Sequence, residues 1–412
     1  MLPNVLQFHN NQLFKVKGES KSMSGTKKLN VAFLTTYPPR ECGIATFTQD
    51  IINELKKSTS VKTGVIAITD QPMHYGEDVR LELKQHDRTS YIETARKINR
   101  SDIDVLVVEH EYGIYGGECG EYLLDLIELL EKPIVTTLHT VLPSPSDKQR
   151  EILKQLCAKS EKVVTMAMNS RKVLEDVYDV DSSKIELIHH GVPDLKLPER
   201  DELKKELGLE NRIVISTFGL ISPGKGLEYG IEAVAQTAKK HPEVLYLILG
   251  QTHPVIRKQH GEVYRNSLEK MVRELQAEDN VRFVNRYLTK EEIIRYLKLS
   301  DIYMTPYLGK DQAVSGTLAY AVGCGRIIVS TPYSYAKEML ADGRGLLADF
   351  EDSASLSECI NYVIEHPERK KQMEQKTKLL GDNMKWSVVA DCYRRTFYKA
   401  YREYSKKERV AV

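Results

Sequence analysis

The feature that most constrains this chain is an alternation. Short runs of near-continuous apolar residues are each followed by a segment whose apolar residues recur at helical spacing. From Leu29 the text LNVAFLTTYPPRECGIATFTQDIINELKK reads as a buried strand, a Pro-Gly turn and a helix with Ile44, Phe47, Ile51, Ile52 and Leu55 on one face. Strands of the same character recur at VKTGVIAITD, DVLVVEH, PIVTTLHT, KVVTMA and KIELIHHG. Strands that are apolar on both faces belong to a parallel sheet with helices on either side. At residues 192–207, VPDLKLPERDELKKEL, prolines and charges interrupt the pattern. It then restarts with RIVISTFGL, a helix over 226–241, VLYLILGQT, a helix over 255–277, VRFVNRYL, a helix over 290–299, and GLLADF.

The fold class is therefore α/β, with two doubly wound, Rossmann-like parallel-sheet domains. Residues 1–28 are polar and read as a flexible extension, 29–195 as the first domain, 196–209 as a linker and 210–385 as the second domain. A helix within 386–412, patterned over 386–404 with Val389, Tyr393, Phe397 and Tyr401 on one face, is expected to pack back on the first domain, and the closing KKERVAV to be solvated. Ligands bind beyond the carboxyl ends of the strands in such sheets, so the expected active site is a cleft across which the domains face each other.

Composition narrows the partners. Lys and Arg total 59 against 58 for Asp and Glu, which gives no charge bias toward nucleic acid or an anionic membrane. Any phosphate binding must be local. The six cysteines are scattered without a C-x-x-C pair, which suits reduced thiols in a cytoplasmic protein and gives no zinc site. With no run of about 18 apolar residues, and no charged-then-apolar leader at Met1, neither a spanning helix nor a signal peptide is expected. Peripheral contact with a membrane is left open, as is the oligomeric state.

The residues that carry chemistry cluster in 297–333, LKLSDIYMTPYLGKDQAVSGTLAYAVGCGRIIVSTPY. This reads as a strand over 301–307, a polar loop over 308–314, a helix opening at Ser315, Gly316 and Thr317, and a second strand over 326–331. A helix start offers unpaired N–H groups and the positive end of its dipole, and these small residues let an anion come close. The segment GLISPGKG, 219–226, also lies between a strand and a helix and nearly spells a nucleotide hydrolase phosphate loop. It carries Gly226 where that loop needs Ser or Thr for magnesium. The generic reading is a phosphate approached by Gly224 and charge-paired with Lys225; the plain alternative is a solvated lysine in a tight turn. The run GIYGGECG, 113–120, lacks dinucleotide spacing. Asp102 and Asp104 imitate a metal-binding D-x-D but precede a strand, so they read as turn residues, and no metal cluster is visible.

These motifs resemble the retaining members of the large "glycosyl transferases group 1" family, with its two-domain GT-B fold, over about 28–405. The carriers are YPPRECGIATFT, TLHT, HHGVP, FGLISPGKG and the 301–333 stretch. The resemblance implies an acceptor-side first domain, a donor-binding second domain, and transfer of a hexose from an activated sugar with no cofactor or metal. The donor would be a nucleotide sugar or sugar phosphate, and the acceptor a saccharide or glycolipid hydroxyl. It implies that Gly43 faces the donor phosphates and His139 the donor sugar. Lys225, with Ser315, Gly316 and Thr317, would hold the departing diphosphate. We align Gln312 and Tyr320 with the family's two Glu residues, and Leu220 with its Arg. Gln312 can still hydrogen-bond sugar hydroxyls, whereas Tyr320 cannot chelate a ribose as a carboxylate does. Asn285, Arg286 and Tyr287 are candidates for the leaving group, and His110 and Glu111 for the acceptor side. The SGTLAYA and STPY blocks resemble a mannosyltransferase-like subgroup. Two alternatives stay open: a sugar phosphorylase of the same fold, and a catalytically silent binding subunit.

Overall fold

The computed structural model describes residues 27–411; residues 1–26, nearly all of the segment read as an extension, lie outside the described residues. The strands β1 (Leu29–Thr35), β2 (Val61–Thr69), β3 (Val79–Lys84), β4 (Val105–His110), β5 (Ile134–Leu138), β6 (Lys162–Thr165) and β7 (Ile185–Leu187) form one parallel sheet in the order β3-β2-β1-β4-β5-β6-β7. A second parallel sheet is built from β8 (Ile213–Phe218), β9 (Val244–Leu249), β10 (Val281–Val284), β11 (Ile302–Thr305), β12 (Ile327–Ser330) and β13 (Leu346–Leu347). Its order is β10-β9-β8-β11-β12-β13. Each order reverses once, between β1 and β4 and between β8 and β11. At such a reversal the loops leaving adjacent strand ends turn to opposite faces and leave a crevice.

The sheets belong to two compact units, one holding the described residues up to Gly191 with the helix Trp386–Ala411, the other running from Val192 to Lys385. In the first, Leu34, Ile66, Leu106 and Val108 pack with Tyr91, Leu123 and Leu153. In the second, Ile215, Tyr246, Ile248 and Met304 pack with Ile231, Val234 and Ile360. Each such side chain contributes roughly 1.5–3 kcal/mol by leaving water. The helix Trp386–Ala411 joins the first core: Phe397 meets Phe33 edge-on at 6.1 Å, and the Tyr393 hydroxyl lies 3.2 Å from that of Thr137.

Several elements differ from the sequence reading. Residues 255–277 form two helices, Pro254–His260 and Val263–Glu274, because Gly261 takes a left-handed φ of 62° that ends the first. The presumed linker carries a helix of its own, Arg200–Glu206, whose Lys204 is buried and donates to Asp301 at 2.5 Å. The last helix continues through KKERVA to Ala411, and Lys407 pairs with Glu161 at 2.6 Å. The edge strand β3 and the helices Ser353–Glu365 and Pro367–Asp382 complete the units. Among the described residues no helix is long and apolar enough to cross a membrane.

Candidate active site

In the unit 192–385, two loops leave the strand-order reversal and are stitched to each other. After β8 the chain passes Gly219 and Leu220 into a short turn, Pro223–Lys225, and then Gly226, which precedes the helix Leu227–Ala238. The Leu308 N–H donates to the Gly224 carbonyl at 3.1 Å. A Cβ on Gly226 would lie 2.2 Å from the Pro306 carbonyl oxygen, and its φ is 57°. The glycine that spoils the hydrolase motif is thus required by the approach of another backbone.

Lys225 follows from this stitching. Its ammonium sits 3.8 Å from the centroid of the Tyr307 ring. The Tyr307 hydroxyl and Thr317 Oγ1 are 2.9 Å apart, and Thr317 Oγ1 lies 3.1 Å from Ser315 Oγ. Ser315 caps the helix Gly316–Gly323 by accepting from the Leu318 N–H at 3.3 Å. Lysine, glycine turn and helix start are therefore assembled within one unit. Gln312 lies on the same loop, but its amide nitrogen donates to the Val314 carbonyl at 3.1 Å, holding the side chain against its own backbone. Tyr320 is buried and tilted against Phe218, centroids 6.1 Å apart.

The trio Asn285, Arg286 and Tyr287 directly follows Val284, whose carbonyl accepts from the Gly250 N–H at 3.0 Å, and Gly250 in turn abuts the Gly219 carbonyl. The trio follows β10 at the sheet edge, separated from β8 by β9. Arg286 is exposed and paired with Glu292 at 2.6 Å, and Tyr287 is 59% exposed.

In the other unit the reversal gathers Gly43, the end of β4 and the end of β5. Gly43 opens the helix Gly43–Leu55, where Cys42 Sγ accepts from the Ala45 N–H at 3.3 Å, and nothing lies within 4 Å of where a Gly43 Cβ would be. His139 follows β5 with its ring edge-on to Phe47 at 5.0 Å. Its Nε2 is 2.7 Å from Glu109 Oε2, a carboxylate with no solvent exposure whose Oε1 is buried and unpartnered. Glu111 accepts from the Tyr112 N–H at 3.0 Å and from the Thr140 hydroxyl.

His110, expected on the acceptor side, is a buried ring in this unit. It is 1% exposed, edge-on to Tyr112 at 4.9 Å and stacked on Tyr115 at 6.1 Å. Burial, reinforced by repulsion from His139, pushes its pKa down to about 3. Glu109 is the residue sequence reasoning missed. The available signal was a carboxylate inside the apolar run VLVVEH, where burial demands a partner.

Other motifs resolve into packing. A Cβ on Gly116 would meet the Gln85 carbonyl oxygen at 1.9 Å, and the Gly116 N–H donates to the Tyr91 hydroxyl at 2.8 Å. The run GIYGGECG thus admits close backbone approach and spends that N–H internally. Asp104 accepts from the Asn30 N–H at 2.9 Å, and Asp102 pairs with Arg80 at 3.5 Å. His190, whose Nδ1 lies 2.7 Å from the Gly191 carbonyl oxygen, packs against Phe47 at 5.2 Å, and burial lowers its pKa to about 4.

Two doubly wound parallel sheets, each with glycine turns and small-residue helix starts at its strand-order reversal, define the GT-B class of fold. Residues 199–380 match the glycosyl transferases group 1 family, and residues 43–194 match Glycosyltransferase Family 4. The spore coat protein SA of Bacillus subtilis is 22% identical over 60% of this chain and 67% of its own length. A D-inositol 3-phosphate glycosyltransferase of a Nocardioides species is 25% identical over 57% of this chain and 55% of its own length. Among solved structures, Anabaena HepE in complex with UDP and glucose superposes with a TM-score of 0.70 at 16% identity, over 90% of this chain and 99% of that one.

Proposed function

We propose that this protein transfers a hexose from a nucleoside diphosphate sugar to a saccharide or other hydroxyl acceptor, with retention of configuration and without a metal. The observation that carries the reading is the pairing of Lys225 with the start of the helix Gly316–Gly323 through Tyr307 and Thr317. As the bond to the sugar breaks, negative charge gathers on the leaving diphosphate. A preorganised ammonium and the first N–H groups of a helix lower the energy of that charge without rearranging at the moment of reaction. His139, held by Glu109, contacts the donor sugar, and Gly43 leaves space at a second helix start for the reacting groups. The departing phosphate takes the acceptor proton, so no protein nucleophile is needed. The six free thiols suit a reducing compartment such as the cytoplasm.

The test is a thermal-shift panel of nucleoside diphosphates and their sugars, since ligand bound to the native state raises its stability. Stabilisation by one base, lost in Lys225→Ala, is the expected result. No shift from any member would refute the reading and favour a binding subunit, and sugar phosphate release driven by inorganic phosphate would replace transfer with phosphorolysis. Nuclear magnetic resonance of the anomeric centre of the product reads retention directly.

A further inference from the structure

The unit 192–385 brings an aromatic ring beneath the one lysine of the phosphate turn, and we propose that Tyr307 is a positioning residue for the donor diphosphate, acting through Lys225. The inference rests on the functional reading above. Tyr307 is 1% exposed and is gripped on several sides. Its ring stacks on that of Tyr333, centroids 5.6 Å apart and planes 16° apart, and Tyr333 is itself buried. Its neighbours in the chain fasten the backbone: the Pro306 carbonyl abuts Gly226, and the Leu308 N–H donates to the Gly224 carbonyl at 3.1 Å.

Two different parts of this one side chain then reach the two halves of the anion site. The ring face lies 3.8 Å from the Lys225 ammonium, within range for attraction to the negative face of an aromatic quadrupole. The hydroxyl lies 2.9 Å from Thr317 Oγ1, in the first turn of the helix Gly316–Gly323. A lysine side chain is flexible, and fixing it before the ligand arrives removes an ordering cost from binding. Tyr307 therefore sets the spacing between the point charge and the helix start, which a solvated lysine would have to find anew at each encounter. The Tyr307 ring is 1% exposed, so its effect passes through the lysine.

The experiment is a binding cycle with uridine diphosphate as probe, read by isothermal titration calorimetry on the full chain. Tyr307→Leu should weaken binding about threefold to thirtyfold, the range a cation–ring contact supports. In a Lys225→Ala background the same change should have almost no further effect, because the group it positions is gone. Tyr307→Phe keeps the ring and should retain most of the affinity. Replacing residue 307 with progressively fluorinated phenylalanines, which keep their shape but lose the negative ring face, should weaken binding stepwise. That series also decides the matter if Tyr307→Leu does not fold. Equal losses in both backgrounds, or affinity indifferent to fluorination, would make Tyr307 a packing residue while leaving the phosphate role of Lys225 intact. If the thermal-shift panel selects another base, that diphosphate takes the place of uridine diphosphate as probe; if Lys225→Ala binds the probe as well as the native protein, or the native protein binds no member of the panel, the functional reading fails and this inference with it.

Discussion

Asp301 offers the sharpest quantitative test, because it stands immediately before β11, the strand that delivers Tyr307 and its loop. Its carboxylate is 6% exposed and accepts from Lys204 Nζ at 2.5 Å, Lys370 Nζ at 2.9 Å and the Val214 N–H at 2.9 Å, with Arg200 at 3.5 Å. Replacing Asp301 with Ala leaves the buried Lys204 without its counter-charge, a loss of roughly 3–5 kcal/mol. The orphaned Val214 N–H adds about 1–3 kcal/mol. Taking about 4 kcal/mol as a floor and a slope of about 2 kcal/mol per molar, the urea midpoint should fall by about 2 M. Far-UV circular dichroism during urea titration measures it.

The pH dependence of Asp301→Ala has a definite sign. Burial raises the Asp301 pKa, but the ammonium groups of Lys370 and Lys204 outweigh that and hold it below the usual carboxylate range. Stability from a lowered carboxyl pKa is complete above the unfolded value, about 3.9, and is lost as pH falls through the folded one. The gap between native and variant should therefore be full at pH 7 and narrow below about pH 4. A midpoint shift under about 0.5 M, or a gap unchanged into strong acid, would mean that the cluster is not acting as a buried ion network.

Gly226→Ala must push the Pro306 backbone away and adopt a left-handed φ, which alone costs about 1–2 kcal/mol, so stability by denaturant titration should fall by at least about 1 kcal/mol. Gly224→Ala, with nothing within 4 Å of its Cβ, should stay within about 0.5 kcal/mol in stability by denaturant titration. Glu109→Gln keeps volume but removes the charge facing His139; turnover should fall about tenfold to a hundredfold, and a double variant with His139→Ala should be no worse than His139→Ala alone. His110, with its pKa lowered to about 3, contributes stability that is whole above its unfolded value and declines as pH falls from about 6.5 toward 3. Chemical denaturation at pH 7 and pH 5 should show about 2 kcal/mol more acid loss in the native protein than in His110→Phe.

Much of the fold was legible because its strands are apolar on both faces: β4, β8, β9 and β11 announce themselves in VLVVEH, IVISTF, VLYLIL and IYMT. β3 was not, since VRLELK lies at a sheet edge with Leu83 as its one buried residue. The glycine turn at 219–226 could be read as a turn, but the reason for Gly226 could not, because Pro306 reaches it from 80 residues further on. Side-chain direction at strand ends was equally hidden. In EHEYG the sequence offers a histidine between two acids, and only the pleat decides that Glu109 meets His139 while His110 turns inward.

The ring that borders His139 and His190 has a third aromatic neighbour with a practical consequence. Phe47 also touches Trp386 edge-on at 5.2 Å, and Trp386 is the chain's single tryptophan. A Cβ on Gly191 would meet its indole at 2.1 Å, so the fluorophore is clamped between a benzene ring and a bare stretch of main chain. Tryptophan emission from this protein, excited beyond the absorption of its tyrosines, thus comes from one spot, a single ring removed from the proposed sugar contact. Sugar arriving at His139 should announce itself in the native emission spectrum, with no dye attached.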